Sequence, residues 1–122
     1  MEWQNFDPDD VIFREGDESV AAYLIISGNV RIVKGYGAAS QKELAVVGAG
    51  EYIGEMGAID NLPRSASAIA QGRVVCTPVT PGEFMDLLRK NPDEAIDLLK
   101  ILFERLRAAN RRLAEIEQVN GG

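Results

Sequence analysis

Glu55 and Arg64 stand nine positions apart in the stretch Tyr52-Ile53-Gly54-Glu55-Met56-Gly57-Ala58-Ile59-Asp60-Asn61-Leu62-Pro63-Arg64-Ser65-Ala66-Ser67-Ala68. The planar guanidinium of Arg64 can pair with a phosphate through two parallel hydrogen bonds. An ionised Glu55 only accepts, so it asks for a donor such as a sugar 2′-OH. Gly54 offers its backbone N–H with no side chain in the way, and amides at the start of a helix favour an anion. Pro63 stiffens the approach to Arg64. These types and spacings suit a ligand with one anionic group and one free hydroxyl, as a cyclic nucleotide has, whereas a polyphosphate would demand more cations or a metal. On residue types alone, a surface Glu55–Arg64 ion pair accounts for the same two charges.

Other chemistries find little support. The chain has no histidine, which removes the commonest general base and the commonest transition-metal ligand. Asp9-Asp10 and the group Glu15, Asp17, Glu18 lie in turn-like polar stretches and read as solvated surface, not as an acid–base pair. Cys76, the single cysteine, sits in the apolar run Val74-Val75-Cys76 and reads as a small buried hydrophobe. No metal-type spacing is present, and neither an enzyme nor a bound cofactor is expected. The formal net charge of −6 repels phosphate backbones and anionic lipid surfaces, so no direct DNA contact is expected. The acidic N-terminus, with Glu2, Asp7, Asp9 and Asp10, has no basic flank or long apolar run, so neither a signal peptide nor a membrane span is expected, and a cytoplasmic location is expected.

The elements that must carry these residues follow from the hydrophobic runs. A chain of 122 residues with 46% hydrophobic and 26% charged residues suffices for one globular domain. Up to about residue 80, short apolar runs alternate with turn residues: Val11 to Phe13, Ala21 to Ile26, Val30 to Val33, Leu44 to Val47, Ala66 to Ala70 and Val74 to Val79. Such punctuation predicts antiparallel strands in a sandwich or barrel. Ser27-Gly28-Asn29 reads as a hairpin because Gly28 and Asn29 tolerate positive φ, and 34–41 reads as a longer connection. Met56 to Asn61 has the composition of a turn or two of helix. After Thr80-Pro81-Gly82, Glu83 to Lys90 places Phe84, Leu87 and Leu88 at helical spacing. Asn91-Pro92 interrupts it, and a second, long helix is predicted from Asp93 to about Val119.

Along that long helix, Ala95, Leu99, Leu102, Leu106, Ala109, Leu113 and Ile116 alternate steps of four and three, which is a heptad seam. Ile96, Ile101 and Phe103 lie off the seam and predict a second covered face. One domain is expected over 1–122: a barrel over about 10–80, closing helices over 81–119 and a tail over 120–122.

Gly54-Glu55-Met56-Gly57 followed by Pro63-Arg64-Ser65-Ala66 resembles the phosphate-binding cassette of the cyclic nucleotide-binding domain family, which includes bacterial catabolite activators, kinase regulatory subunits and ligand-gated channels. Phe13-Arg14-Glu15-Gly16-Asp17 and Tyr23 to Val30 resemble the opening strands of that fold, and Phe84, Asn91-Pro92 and the long helix its closing helices. The resemblance implies a mainly β fold with some helix: an eight-stranded antiparallel jelly-roll barrel, a short helix in the cassette and two C-terminal helices. It further implies that Glu55 takes the ribose 2′-OH and that Arg64 and Ser65 hold the cyclic phosphate, with amides near Gly54 and Ala66 completing the cradle and Met56 within the same segment. Arg105, stacking on the base, and Asn110, pairing with a purine edge, are the two candidate caps on the last helix. Gly57-Ala58 is smaller than the pair often found there, which predicts a looser short helix. Neither a helix-turn-helix after the long helix nor a membrane segment before the barrel is expected.

The leading expectation is therefore a receptor for a cyclic mononucleotide, cAMP in preference to cGMP, that signals to another protein by moving its C-terminal helices, with a homodimer along the last helix. The alternative is a ligand-free dimerising adaptor on the same fold. A metal-dependent jelly-roll enzyme of the cupin type shares the barrel plan but needs the clustered histidines that are missing here.

Overall fold

The structure is a computed structural model that describes residues 2–121, with the side chains of Ala58, Ala109, Asn110 and 112–121 outside the described set. The chain forms two compact units, Met1–Met85 and Asp86–Gly122. The first holds strands β1 (Gln4–Phe6), β2 (Val11–Phe13), β3 (Ala22–Lys34), β4 (Lys42–Gly48), β5 (Tyr52–Ile53) and β6 (Ser67–Val79), with helix α1 (Glu55–Asp60) between β5 and β6. Helix α2 (Pro81–Lys90) leads to α3 (Pro92–Gly121). The first strand thus starts ahead of the expected boundary near residue 10.

Six strands are found where eight were expected, because β3 and β6 each join two runs that the sequence separates. All pairings are antiparallel. The first half of β3 lies between β5 and the second half of β6, which β1 borders on its far side. The second half of β3 lies between β4 and the first half of β6, which β2 borders. Each long strand therefore serves two groups of neighbours. Ile25, Ile53 and Val74 from one group and Val30, Val47, Ala68 and Ala70 from the other share one buried cluster.

Ser27-Gly28-Asn29 is not the hairpin that its composition predicts. It is an irregularity inside β3, where the register against β6 shifts between Ile25 and Ser27 and again between Ser27 and Asn29. Gly28 does adopt positive φ, 94°, but in a bulge, which bends a strand without ending it. A Cβ there would collide with the Arg73 carbonyl oxygen and lie 3.1 Å from Val74 Cα. The bulges also dephase the burial of β3, whose buried residues are Ala22, Ile25, Val30 and Val33 instead of every second position.

The helix starts have local causes. Thr80 caps α2: its hydroxyl oxygen accepts from Glu83 N–H at 3.2 Å while the hydroxyl pairs with the Glu83 carboxylate at 2.9 Å, and Pro81 fills the first helical position, where no N–H is needed. Phe84, 1% exposed, packs edge-on to Tyr52 at 5.2 Å between ring centroids. At the α2–α3 junction, the Asn91 side chain and backbone N–H both donate to Leu87 O at 3.0 Å. Of the expected seam, Leu99 and Leu106 are exposed and Leu102 is half-buried, while Ala109, Leu113 and Ile116 lie outside the described side chains. Ile96, Ile101 and Phe103, expected on a covered face, are all exposed.

Candidate functional site

Arg64 is a buried polar residue of the first unit, held through both its backbone and its side chain. Its backbone is fixed by loop 14–17 from both sides: Arg64 N–H donates to Asp17 O and Gly16 N–H donates to Arg64 O, each at 2.8 Å. The side chain is 6% exposed. Nη1 donates to Gly54 O at 3.0 Å, Nη2 donates to Ala21 O, and the guanidinium carbon stands 4.1 Å from the centre of the Phe13 ring. Phe13 itself stacks on Tyr23 at 6.2 Å between centroids. Nε is buried with no hydrogen-bond partner.

Burial therefore pulls the Arg64 pKa below its ordinary value, and the nearby Tyr23, Asp17 and Glu55 pull it partly back. The group stays cationic in any accessible pH range. Its hydrogen bonds go to neutral carbonyls, so the charge is only partly compensated. An anion reaching Nε would satisfy an orphaned donor and the charge together.

Gly54 explains how the guanidinium comes so close. It caps α1 in the left-handed region, φ 71° and ψ 16°, and a Cβ there would overlap Arg64 Nη1 and lie 3.0 Å from Cζ. The sequence reading gave Gly54 the role of presenting an amide, whereas the structure gives it two others: room for Arg64 and a carbonyl that accepts from it. Glu55, the next residue, is 4% exposed, while Met56 turns 54% of its surface to solvent.

Of the pair expected to loosen the short helix, Gly57 is the one whose surroundings are described. Gly57 is buried, and a Cβ there would strike the Ser19 side chain and lie 3.3 Å from Leu62 O. The smallness of Gly57 admits Ser19, whose hydroxyl donates to Leu62 O at 2.7 Å. α1 then ends at Asn61, φ 58°, whose N–H donates to Gly57 O at 3.1 Å. Ser65 is exposed and Ala66 is 6% exposed.

Gly54, Glu55, Met56, Arg64, Ser65 and Ala66 thus all belong to the first unit, on α1 and the segment leading into β6. Arg105 lies on α3 in the second unit and is exposed, and the side chain of Asn110 lies outside the described residues. Phe13 and Ala21 were missed by sequence reasoning. Phe13 stands in the quoted Phe13-Arg14-Glu15-Gly16-Asp17 run, but no linear spacing marks it as the partner of Arg64, and a carbonyl such as that of Ala21 leaves no sequence signal. Among the described residues no group of acidic, cysteine or histidine side chains could hold a metal ion, and no helix is long and apolar enough to cross a membrane.

Comparison with known proteins gives the family and the fold. The family model described as "Cyclic nucleotide-binding domain" matches residues 3–91. The chain is 36% identical over 102 residues to the "Cyclic AMP receptor protein" of Thermus thermophilus, covering 84% of this chain and 47% of that protein. The crystal structure of the Thermus thermophilus catabolite activator protein superposes with a TM-score of 0.82 at 32% identity, over 95% of this chain and 55% of that one. The EAL enzyme Bd1971 superposes in its cAMP-bound form with a TM-score of 0.68 at 31% identity, over 98% of this chain and 32% of that one. Its cGMP-bound form gives a TM-score of 0.66 at 33% identity, over 87% and 28% of the two chains. The chain spans about half the length of the Thermus relative.

Proposed function

Because the chain belongs to the cyclic nucleotide-binding domain family, a regulatory and not a catalytic one, we propose that its first unit binds a cyclic mononucleotide, cAMP in preference to cGMP. Arg64 and the Ser65 hydroxyl hold the cyclic phosphate with amides near Gly54 and Ala66, and Glu55 accepts from the ribose 2′-OH. The observation that carries this reading is the buried Arg64 guanidinium with its orphaned Nε. A buried cation whose charge is only partly compensated matches a ligand with one phosphate negative charge better than a polyphosphate.

In this reading Arg105 stacks on the base, Asn110 meets the purine edge, and ligand contact with α3 changes the populations of helix positions that a partner protein senses. The preference for cAMP is supported by the name of the Thermus relative. Isothermal titration tests the proposal. Saturable heat with cAMP, tighter than with cGMP and lost in Arg64→Ala, is expected, and no saturable heat with either nucleotide at submillimolar concentration removes it.

The exposed seam residues Leu99 and Leu106 on α3 favour a second reading, a homodimer along that helix that serves as an adaptor without ligand. Sedimentation with and without nucleotide separates the two, since the adaptor predicts a dimer indifferent to ligand. A cytoplasmic setting suits both readings.

A further inference from the structure

Lys34, at the last position of β3, has no place in the site described above. Its ammonium donates to the Ser65 carbonyl oxygen at 2.9 Å and pairs with the Glu15 carboxylate at 3.2 Å. Glu15 is itself tied down: its other carboxylate oxygen accepts from Gly35 N–H at 3.0 Å, and its backbone N–H donates to the Ser67 hydroxyl at 2.9 Å. The ammonium is thus held over one particular carbonyl, between two anchored oxygens.

That carbonyl belongs to the peptide joining Ser65 to Ala66. In a trans peptide the C=O and N–H point opposite ways, so a donor fixed on Ser65 O turns Ala66 N–H away from Lys34. The preceding peptide is pinned in the same manner, because Gly16 N–H holds Arg64 O at 2.8 Å and so turns Ser65 N–H away from Gly16. Among the described residues, neither Ser65 N–H nor Ala66 N–H donates to a backbone carbonyl in the turns and loops; Ser65 is exposed, whereas Ala66 is 6% exposed. Buried amides without acceptors are rare in folded proteins. A cation on the carbonyl also polarises the peptide and strengthens its N–H as a donor.

We propose that Lys34, held by Glu15, is a positioning residue of the anion site: it fixes Ser65 from behind, so that the Ser65 hydroxyl and the flanking amides are aimed at one exocyclic oxygen of the bound phosphate. The role rests on the cyclic-nucleotide reading of the cradle. Both side chains are more than a third exposed, 56% for Lys34 and 36% for Glu15, and such a pair contributes little to stability. Its function is orientation, and its removal leaves the fold intact.

The test uses the full chain with Lys34→Met, Lys34→Arg and, as a control on the same strand, Arg31→Met, which breaks the exposed Arg31–Glu43 pair. Three ligands are titrated: cAMP and its two phosphorothioate diastereomers, in which sulfur replaces one or the other exocyclic oxygen. Amide spectra of Ser65 and Ala66 are recorded without ligand. In Lys34→Met both amide signals should move, cAMP affinity should fall about fivefold, and the affinity gap between the diastereomers should narrow by a similar factor. Lys34→Arg should keep most of the gap and Arg31→Met all of it. Unmoved Ser65 and Ala66 signals, or equal weakening of all three ligands with the gap unchanged, overturns the positioning role. Wild-type protein that binds none of the three overturns the functional reading and this role with it, and the wild-type titration tells that outcome apart from a failure of Lys34 alone.

Discussion

Replacing Gly54 by alanine adds one methyl group directly against the Arg64 guanidinium. Two separate costs follow. The backbone is at φ 71°, where an L-residue with a Cβ loses roughly 1–2 kcal/mol. The new methyl also overlaps Arg64 Nη1 and lies 3.3 Å from Phe13 Cε2. The guanidinium has no free direction of retreat, with Phe13 on one face and the Ala21 carbonyl on Nη2. Giving way means losing the Nη1 bond to Gly54 O, a charge-assisted bond of about 2 kcal/mol. Together these predict a loss of about 3 kcal/mol of stability, or roughly 10 °C in melting temperature for a chain of this size. Affinity for cyclic nucleotide should fall about 100-fold, since the displaced cation is the one proposed to meet the phosphate. Gly50→Ala isolates the first cost, because Gly50 also has positive φ, 85°, but nothing lies within 4 Å of its Cβ position. It should lose about 1 kcal/mol and bind normally. Circular dichroism melts and titration calorimetry on both variants read the two effects apart. If Gly54→Ala melts and binds like Gly50→Ala, the close approach of Arg64 to residue 54 does not govern the site.

Gly57→Ala should lower the melting temperature through its clash with Ser19, and Ser19→Gly in the same chain should restore part of it, as thermal melts of the single and double variants would show; simple additivity would refute the contact. The Glu15 carboxyl is held below its ordinary value of 4.5, first by the Gly35 N–H and then by Lys34. A carboxylate whose folded pKa lies below its unfolded value stabilises above the unfolded pKa and loses that contribution as pH falls through the folded one. The advantage of wild type over Glu15→Gln in urea midpoint should therefore be present at neutral pH and shrink below about pH 4.5, and a constant difference would contradict the pairing. Cys76 is fully buried with its thiol pushed up to about 11 by desolvation, so a thiol reagent at mildly alkaline pH should label it only after unfolding; prompt labelling of native protein would mean the β6 core opens.

Much of this molecule is legible in its residues, and the failures are local. Val11–Phe13 and Leu44 to Val47 become strands because their apolar runs end at real turns. Ser27-Gly28-Asn29 carries the same composition as a turn yet lies inside a strand, since positive φ at Gly28 serves a bulge as well as a hairpin. Only the pairing of Ser27 with Val75 and of Asn29 with Gln71, far along the chain, decides between them. The start of α2 was within reach: Thr80 and Glu83 stand at the spacing of a capping box, with Pro81 between them. In the proposed site, the residue types of Gly54, Glu55, Arg64 and Ser65 suggest the chemistry. What holds Arg64 does not show, because Phe13 and the Ala21 carbonyl reach it through the fold, and Lys34 acts on a backbone atom.

The pairing of β3 with β6 also sets the order in which the molecule can be made. Ala22 faces Val79 and Val33 faces Ser67, so this ladder joins chain segments that leave the ribosome well apart in time, and everything from β4 to the cassette lies in the intervening loop. Closing that loop costs chain entropy before its contacts repay it. Gly54, Glu55 and Arg64 therefore come into register only once this long-range pairing is complete, and ligand-binding competence should be acquired late in folding, together with the burial of Ile25 and Val74.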